Sequence, residues 1–229
     1  MTWLALATGN AHKVDEIRAI LGPAFEFHSL KEYPTAPKTV EDGATFEANS
    51  TKKAVELAKW LATQPNVPED AWVLADDSGL EVDALNGAPG VHSARFANVG
   101  SSNPGNSKDS DNNAKLLKLL ESTPASKRTA RFRCVLALTP IFRESNSNPN
   151  TCLADLYETS TQLFSGACEG RILSTARGGD GFGYDPLFVP NGFDLTFAEL
   201  GAEEKNKLSH RSKALALLKE FWRKRPAAA

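Results

Sequence analysis

Five apolar residues, Trp3-Leu4-Ala5-Leu6-Ala7, read as a short buried strand, and Thr8-Gly9-Asn10 breaks the run. A helical pattern follows, with Val14, Ile17 and Leu21 three or four residues apart and Gly22-Pro23 ending it. Strand, glycine loop and helix in that order is how α/β proteins commonly open. The same alternation continues down the chain. A loop rich in Pro, Lys and Glu spans 31–42, and a helix is predicted from Thr45 to Thr63 with Phe46, Ala54, Leu57, Ala58 and Leu61 on its buried side. Ala71–Ala75 is the next strand, ending at Asp76-Asp77-Ser78-Gly79.

Residues 98–113 are Asn, Ser, Gly and Asp, the chemistry of a solvated loop, and Ala114–Glu121 carries helical leucines at 116, 117, 119 and 120. The period then shifts: Arg131–Leu138 and Thr159–Ala167 read as two hairpin strands joined by the exposed polar stretch 143–151. Gly178–Gly183 is a glycine-rich turn. Ser209–Arg223 is a final helix, with Leu215, Leu218 and Trp222 buried and a frayed tail after Pro226.

The composition narrows the classes. With 229 residues and 41% hydrophobic content a sizeable core can form. The 26 basic and 28 acidic residues give a net charge of −2, so no domain-wide basic surface is available for duplex nucleic acid. No apolar run approaches the roughly 18 residues that span a bilayer, and the N-terminus lacks a secretory pattern. Cys134, Cys152 and Cys168 are odd in number and far apart, fitting neither a disulfide framework nor a CxxC metal site, so a reducing cytoplasm is the expected compartment.

Five segments carry possible chemistry. Thr8-Gly9-Asn10-Ala11-His12-Lys13 is a glycine loop at a helix N-terminus, where backbone N–H groups, the helix dipole and Lys13 favour an anion such as phosphate; the plainer reading is an Asn10 N-cap with Lys13 in solvent. Asp76 and Asp77 are adjacent acids at the carboxyl end of a strand, where ligands collect in open α/β sheets. A divalent cation would relieve their repulsion; an Asp N-cap in an Asp-Ser-Gly turn would explain them otherwise. Glu41 precedes the second helix, on which Asn49 and Lys53 share a face, solvated or aimed at the same site as Asp77. Gly178-Gly179-Asp180-Gly181-Phe182-Gly183-Tyr184-Asp185 permits close backbone approach; Phe182 can stack on a planar base and Asp185 can accept a ring N–H, or the aromatics merely plug the core. Glu203 to Ser212 contains an N-cap, Ser209, followed by His210 and Arg211, where the dipole disfavours cations unless an anion or an electron-rich ligand arrives; otherwise it is a flexible basic turn. The remaining histidines, His12, His28 and His92, have no metal-ligand spacing.

Together TGNAHK (8–13), ADDSGLEVDALNGAPGVHSARFA (75–97), GGDGFGYDPLFVP (178–190) and EEKNKLSHRSKAL (203–215) resemble the inosine triphosphate pyrophosphatase family, whose bacterial branch comprises the dITP/XTP pyrophosphatases. The resemblance implies one α/β domain over residues 1–229, an elongated mixed central sheet flanked by helices, with two lobes and a cleft between them. It implies Mg²⁺-dependent hydrolysis of deaminated purine nucleoside triphosphates (dITP, ITP, XTP) to monophosphate and pyrophosphate, by a cytoplasmic homodimer. By the same resemblance Thr8, Gly9, Asn10, Ala11, His12 and Lys13 bind phosphate, Glu41 and Asp77 hold the metal, and Asp77 is also the proton acceptor. Lys53 is a basic active-site residue. Ser78, Phe182, Gly183, Tyr184, Asp185, Lys205, His210 and Arg211 contact substrate. Three other readings are open to test. One is a pyrophosphatase of related fold for modified pyrimidines or methylated bases. Another is a nucleotide sensor, disfavoured by intact Glu41, Asp76 and Asp77. The last is an NAD-dependent oxidoreductase, which lacks its glycine fingerprint.

Overall fold

The computed structural model describes residues 1–102, 105–143 and 153–225. Most of the predicted 143–151 loop, Cys152 and the 226–229 tail therefore lie outside the described residues. Six strands form one sheet: β1 (Thr2–Leu6), β2 (Phe25–Ser29), β3 (Trp72–Val82), β4 (Thr129–Pro140), β5 (Gln162–Ile172) and β6 (Phe188–Pro190), in the order β2-β1-β3-β4-β5-β6. β1 runs parallel to both neighbours, with Thr2 opposite Phe25 and Leu6 opposite Leu74. The remaining pairs run the other way. Ile141 donates to the Ala71 carbonyl, Ile172 donates to that of Arg128, and β5 and β6 pair antiparallel. The sheet is thus mixed, and its parallel half is crossed by α1 (Ala11–Leu21) and α2 (Phe46–Leu61). The other helices are α3 (Asp109–Leu119), α4 (Leu153–Ser160), α5 (Phe197–Leu208) and α6 (His210–Lys224).

The chain divides into two compact units, one of residues 1–77, 135–165 and 214–229, the other of 78–134 and 166–213. The first has a core of Ala5, Leu57, Leu61, Val73 and Tyr157, the β1 and β3 residues being the apolar runs that a strand covered on both faces demands. In the second, Phe132 lies 4.8 Å edge-on from Phe188, with Leu80, Leu116 and Phe197 packed around them. No helix among the described residues is long and apolar enough to cross a membrane.

Several expectations need correction. β3 does not end at Asp76: it continues through Asp77, Ser78 and Gly79 to Val82, so Asp-Ser-Gly is strand rather than turn. Gly79 serves a close approach, since a Cβ there would meet the Ser93 hydroxyl and lie 2.5 Å from the Gly90 carbonyl oxygen. α3 starts at Asp109, inside the stretch read as loop, because its polar first turn carries acids suited to a helix N-terminus instead of leucines. β2, α4, α5 and β6 had no predicted counterpart, and Thr159 belongs to α4 rather than β5. Trp222 is half-buried, edge-on to Phe25 and Trp72, rather than buried.

Gly79→Ala should lower stability by about 1–3 kcal/mol through overpacking against backbone, read as a shift in the urea unfolding midpoint. A midpoint equal to that of the parent would show that the Gly90 segment moves freely.

Candidate active site

In the first unit the constellation starts from the end of β1. That strand stops opposite Leu74, and one further bond, Ala7 N–H to the Leu74 carbonyl (2.8 Å), closes the parallel ladder. β3 runs on, so Asp76 and Asp77 stand just past the carboxyl edge of its parallel partner. Successive strand side chains point to opposite faces. Accordingly Asp76 pairs with Lys13 of α1 (2.5 Å), while Asp77 pairs with Lys53 of α2 (3.3 Å). The Lys53 ammonium also lies 3.1 Å from Glu41 and donates to the Asp76 carbonyl at 2.9 Å. One ammonium thereby joins both expected metal-holding carboxylates.

Local chemistry explains how each group arrives. Asn10 caps α1, its side-chain oxygen accepting from Lys13 N–H, which aims the first N–H groups of the helix outward from the Thr8-Gly9 loop. Lys13 itself is not in solvent: its side chain is 15% exposed and that of Asp76 fully buried. Thr45 caps α2. One turn in, Asn49 is buried and its side-chain oxygen accepts from Gly43 N–H at 2.8 Å, fixing the Glu41-Asp42-Gly43 segment that delivers Glu41. The Asn49/Lys53 face is therefore interior, not solvated.

Burial is the largest influence on Asp77 and pushes its carboxyl above the ordinary range; Lys53 and Lys13 pull it back, and Glu41 pushes it further up. Burial opposes the charged form of Lys53, but Asp77, Glu41 and Asp76 outweigh it and hold its pKa above the ordinary lysine value. The Asp77 Oδ2 atom is buried and accepts no hydrogen bond from the described residues. A buried carboxylate oxygen without a donor has the chemistry of a ligand position for a hard cation, and Glu41 supplies the second carboxylate. Among the described residues no three His, Cys, Asp or Glu side chains gather as a protein-only metal centre. Mg²⁺ does not need one, since it takes one or two carboxylates and completes its shell with water and phosphate oxygens.

The second unit gathers the other expected contacts. Gly181, at φ +83°, brings the backbone against the Asp185 carboxylate. Asp185 Oδ2 accepts from Phe182 N–H (3.0 Å) and from Lys205 Nζ (2.6 Å), and that ammonium sits 4.4 Å from the centre of the Phe182 ring. Arg211 donates to the Ser78 hydroxyl at 3.0 Å. His210 stacks on Phe132, centroids 4.9 Å apart. The Tyr184 phenol, its pKa pushed up by burial, donates to the Ser93 carbonyl at 2.9 Å. Lys205, His210 and Arg211 are all buried, at the end of α5 and the start of α6, so the flexible basic turn is not what forms. Sequence reasoning missed Asp109 and Asn113, which hold Gly183 from some 70 positions away and leave no local signal.

The profile of the Ham1 family matches residues 4–221. A dITP/XTP pyrophosphatase of Desulforamulus reducens is 46% identical over 93% of this chain and 91% of its own, and one of Geobacter sulfurreducens is 46% identical over 96% of each. Among solved structures, a HAM1 protein from Coxiella burnetii is 34% identical, covers 98% of this chain and 100% of its own, and superposes with a TM-score of 0.76. A nucleoside-triphosphatase / dITP/XTP pyrophosphatase from Mycobacterium abscessus is 35% identical, covers 95% and 98%, and gives 0.67.

Because Asp77 binds its proton more tightly folded than unfolded, stability falls as pH rises from the ordinary carboxylate value to the raised one, and the deficit persists above it. Asp77→Asn should therefore match or exceed the parent Tm at pH 7 in EDTA. A loss beyond about 2–4 °C, roughly 1 kcal/mol for a chain of this size, would show instead that the ion pair with Lys53 dominates.

Proposed function

Since this chain belongs to the Ham1 family, we propose that it hydrolyses deaminated purine nucleoside triphosphates, dITP, ITP and XTP, to the monophosphate and pyrophosphate. The observation that carries the reading is the lysine-gripped acid pair of β3, with one Asp77 oxygen left without a donor. The whole chain, residues 1–229, then acts as a single pyrophosphatase domain.

The first unit takes the phosphates. A triphosphate carries about four negative charges near neutral pH. Phosphoanhydride hydrolysis is mostly a matter of positioning those charges and neutralising them. The N–H groups of the Thr8-Gly9-Asn10-Ala11-His12 loop and the ammonium of Lys13 bind phosphate oxygens, and Lys53 sets a second charge beside them. Glu41 and Asp77 are the residues to hold Mg²⁺, which when bound neutralises phosphate charge and acidifies its water. Asp77 orients the attacking water and accepts its proton as the new oxygen–phosphorus bond forms at the α-phosphorus and the bond to pyrophosphate breaks.

The second unit takes the base. Phe182 supplies a half-buried ring for stacking, held beside Lys205, and Gly183 keeps the backbone free of a side chain next to it. A 6-oxopurine offers an acceptor at O6 and a donor at N1, and adenine reverses both. Donors from His210, Arg211 or Lys205 and the acceptor Asp185, together with Ser78 and Tyr184, suit the oxo base. They leave groups unpaired against adenine, a mismatch worth about 10⁴–10⁵ in kcat/KM. Guanine shares O6 and N1–H, so its rejection must come at C2, where it carries an amine. The resemblance further supports a cytoplasmic homodimer whose partners are nucleotides rather than nucleic acid or membrane.

Pyrophosphate release from dITP with and without Mg²⁺ is the direct test. Turnover is expected with the metal only, and kcat/KM for ITP should far exceed that for GTP. Asp77→Asn should lower kcat by about 10²–10⁴-fold while dITP still binds. A near-parental kcat would remove Asp77 from the proton-transfer role.

A further inference from the structure

One residue of the glycine loop has both its peptide groups taken by a single helix. Gly183 N–H donates to Asp109 Oδ2 at 2.7 Å, and Gly183 C=O accepts from Asn113 Nδ2 at 3.0 Å. Asp109 and Asn113 stand four apart on α3, hence on one face one turn apart. Gly183 sits at φ +63°, a conformation few side chains tolerate, between Phe182 and Tyr184. The helix is itself anchored along its length. Lys115 donates to the Phe96 carbonyl, Asn112 accepts from Ala97 N–H, and the buried Arg128 donates to the Leu120 carbonyl at the far end. A rod fixed at its middle and C-terminus thus grips the loop with its first turn, where the helix dipole favours the Asp109 carboxylate.

We propose that Asp109 and Asn113 are positioning residues for base discrimination: they set the Gly183 peptide plane, and through it the placement of the Phe182 ring and the Asp185–Lys205 pair. The inference rests on the proposed function, in which that loop receives the purine. The logic is geometric. Phe182 and Gly183 share a peptide bond, so rotating that plane turns the ring. Asp185 accepts from Phe182 N–H, so the carboxylate follows. A stack tolerates such a shift, but directional contacts to the edge of the base, on which rejection of guanine depends, do not.

The test uses two isosteric exchanges with opposite expected outcomes. Asp109→Asn keeps an acceptor for Gly183 N–H, so the ratio of kcat/KM for dITP over dGTP should stay within about twofold of the parent. Asn113→Asp sets a carboxylate oxygen against the Gly183 carbonyl, so the ratio should fall about tenfold with a rise in KM for dITP, the size expected when a hydrogen bond becomes a repulsive contact. Asp109→Ala should resemble Asn113→Asp. If all three variants keep the parental ratio, or Asp109→Asn loses as much as Asp109→Ala, the clamp does not set discrimination and the inference fails alone. Equal losses of kcat/KM on both nucleotides would mark a purely structural role and also overturn it. A parent protein inactive on dITP with Mg²⁺ would overturn the proposed function first, and this inference with it.

Discussion

Two neighbouring carboxylates inside an apolar strand are the constraint from which the rest of the first unit follows. Asp76 and Asp77 are both buried, and neither can keep its charge there without a cation nearby. The pleat sends them to opposite faces, so each side chain is contacted by a different lysine. Two helices have to deliver one each, α1 with Lys13 and α2 with Lys53. β1 must also stop early enough to leave the acids clear of its ladder, which it does opposite Leu74. Strand length, helix placement and the caps Asn10 and Thr45 are all answerable to that electrostatic requirement.

The second unit solves a related problem differently. Lys205 and Asp185 form a buried pair, and burying charges is costly unless geometry and added hydrogen bonds offset it. Here the carboxylate also accepts from Phe182 N–H, and the ammonium faces the Phe182 and Phe197 rings. The charge pair and the aromatic ring therefore fix one another. A polar cluster built this way is held by its own contacts, since the carboxylate, the ammonium and the ring each restrain the other two.

The apolar periodicity made α2 and α6 legible, because each buries one stripe. The chemistry-bearing segments were legible as types of residue in the right order. What could not be read was the environment. Asp76-Asp77-Ser78-Gly79 has the composition of a turn and forms the middle of a strand, since Gly79 answers to the approach of Ser93 and Gly90 rather than to a reversal. Asn49 and Lys53 look like a solvated pair and are interior, because the loop before the helix folds over them. α3 was read five residues short because its first turn is polar. The local sequence says what a side chain can do, and the distant partners Gly43, Ser93 and Gly183 decide what it does.

This division bears on why the acid pair is retained at all. An apolar residue in place of Asp77 would spare the fold a buried carboxylate whose second oxygen accepts no hydrogen bond from the described residues, an arrangement worth about 1–3 kcal/mol of lost stability. A buried acid with an unsatisfied oxygen is the kind of group found where a side chain serves chemistry rather than folding. The lysines reduce the cost without removing it: Lys53 engages Oδ1 and leaves Oδ2 open to a hard cation or a water. Strand β3 thus carries a buried charge whose cost the two lysines only partly offset, and a cation reaching Asp77 Oδ2 would lower it further.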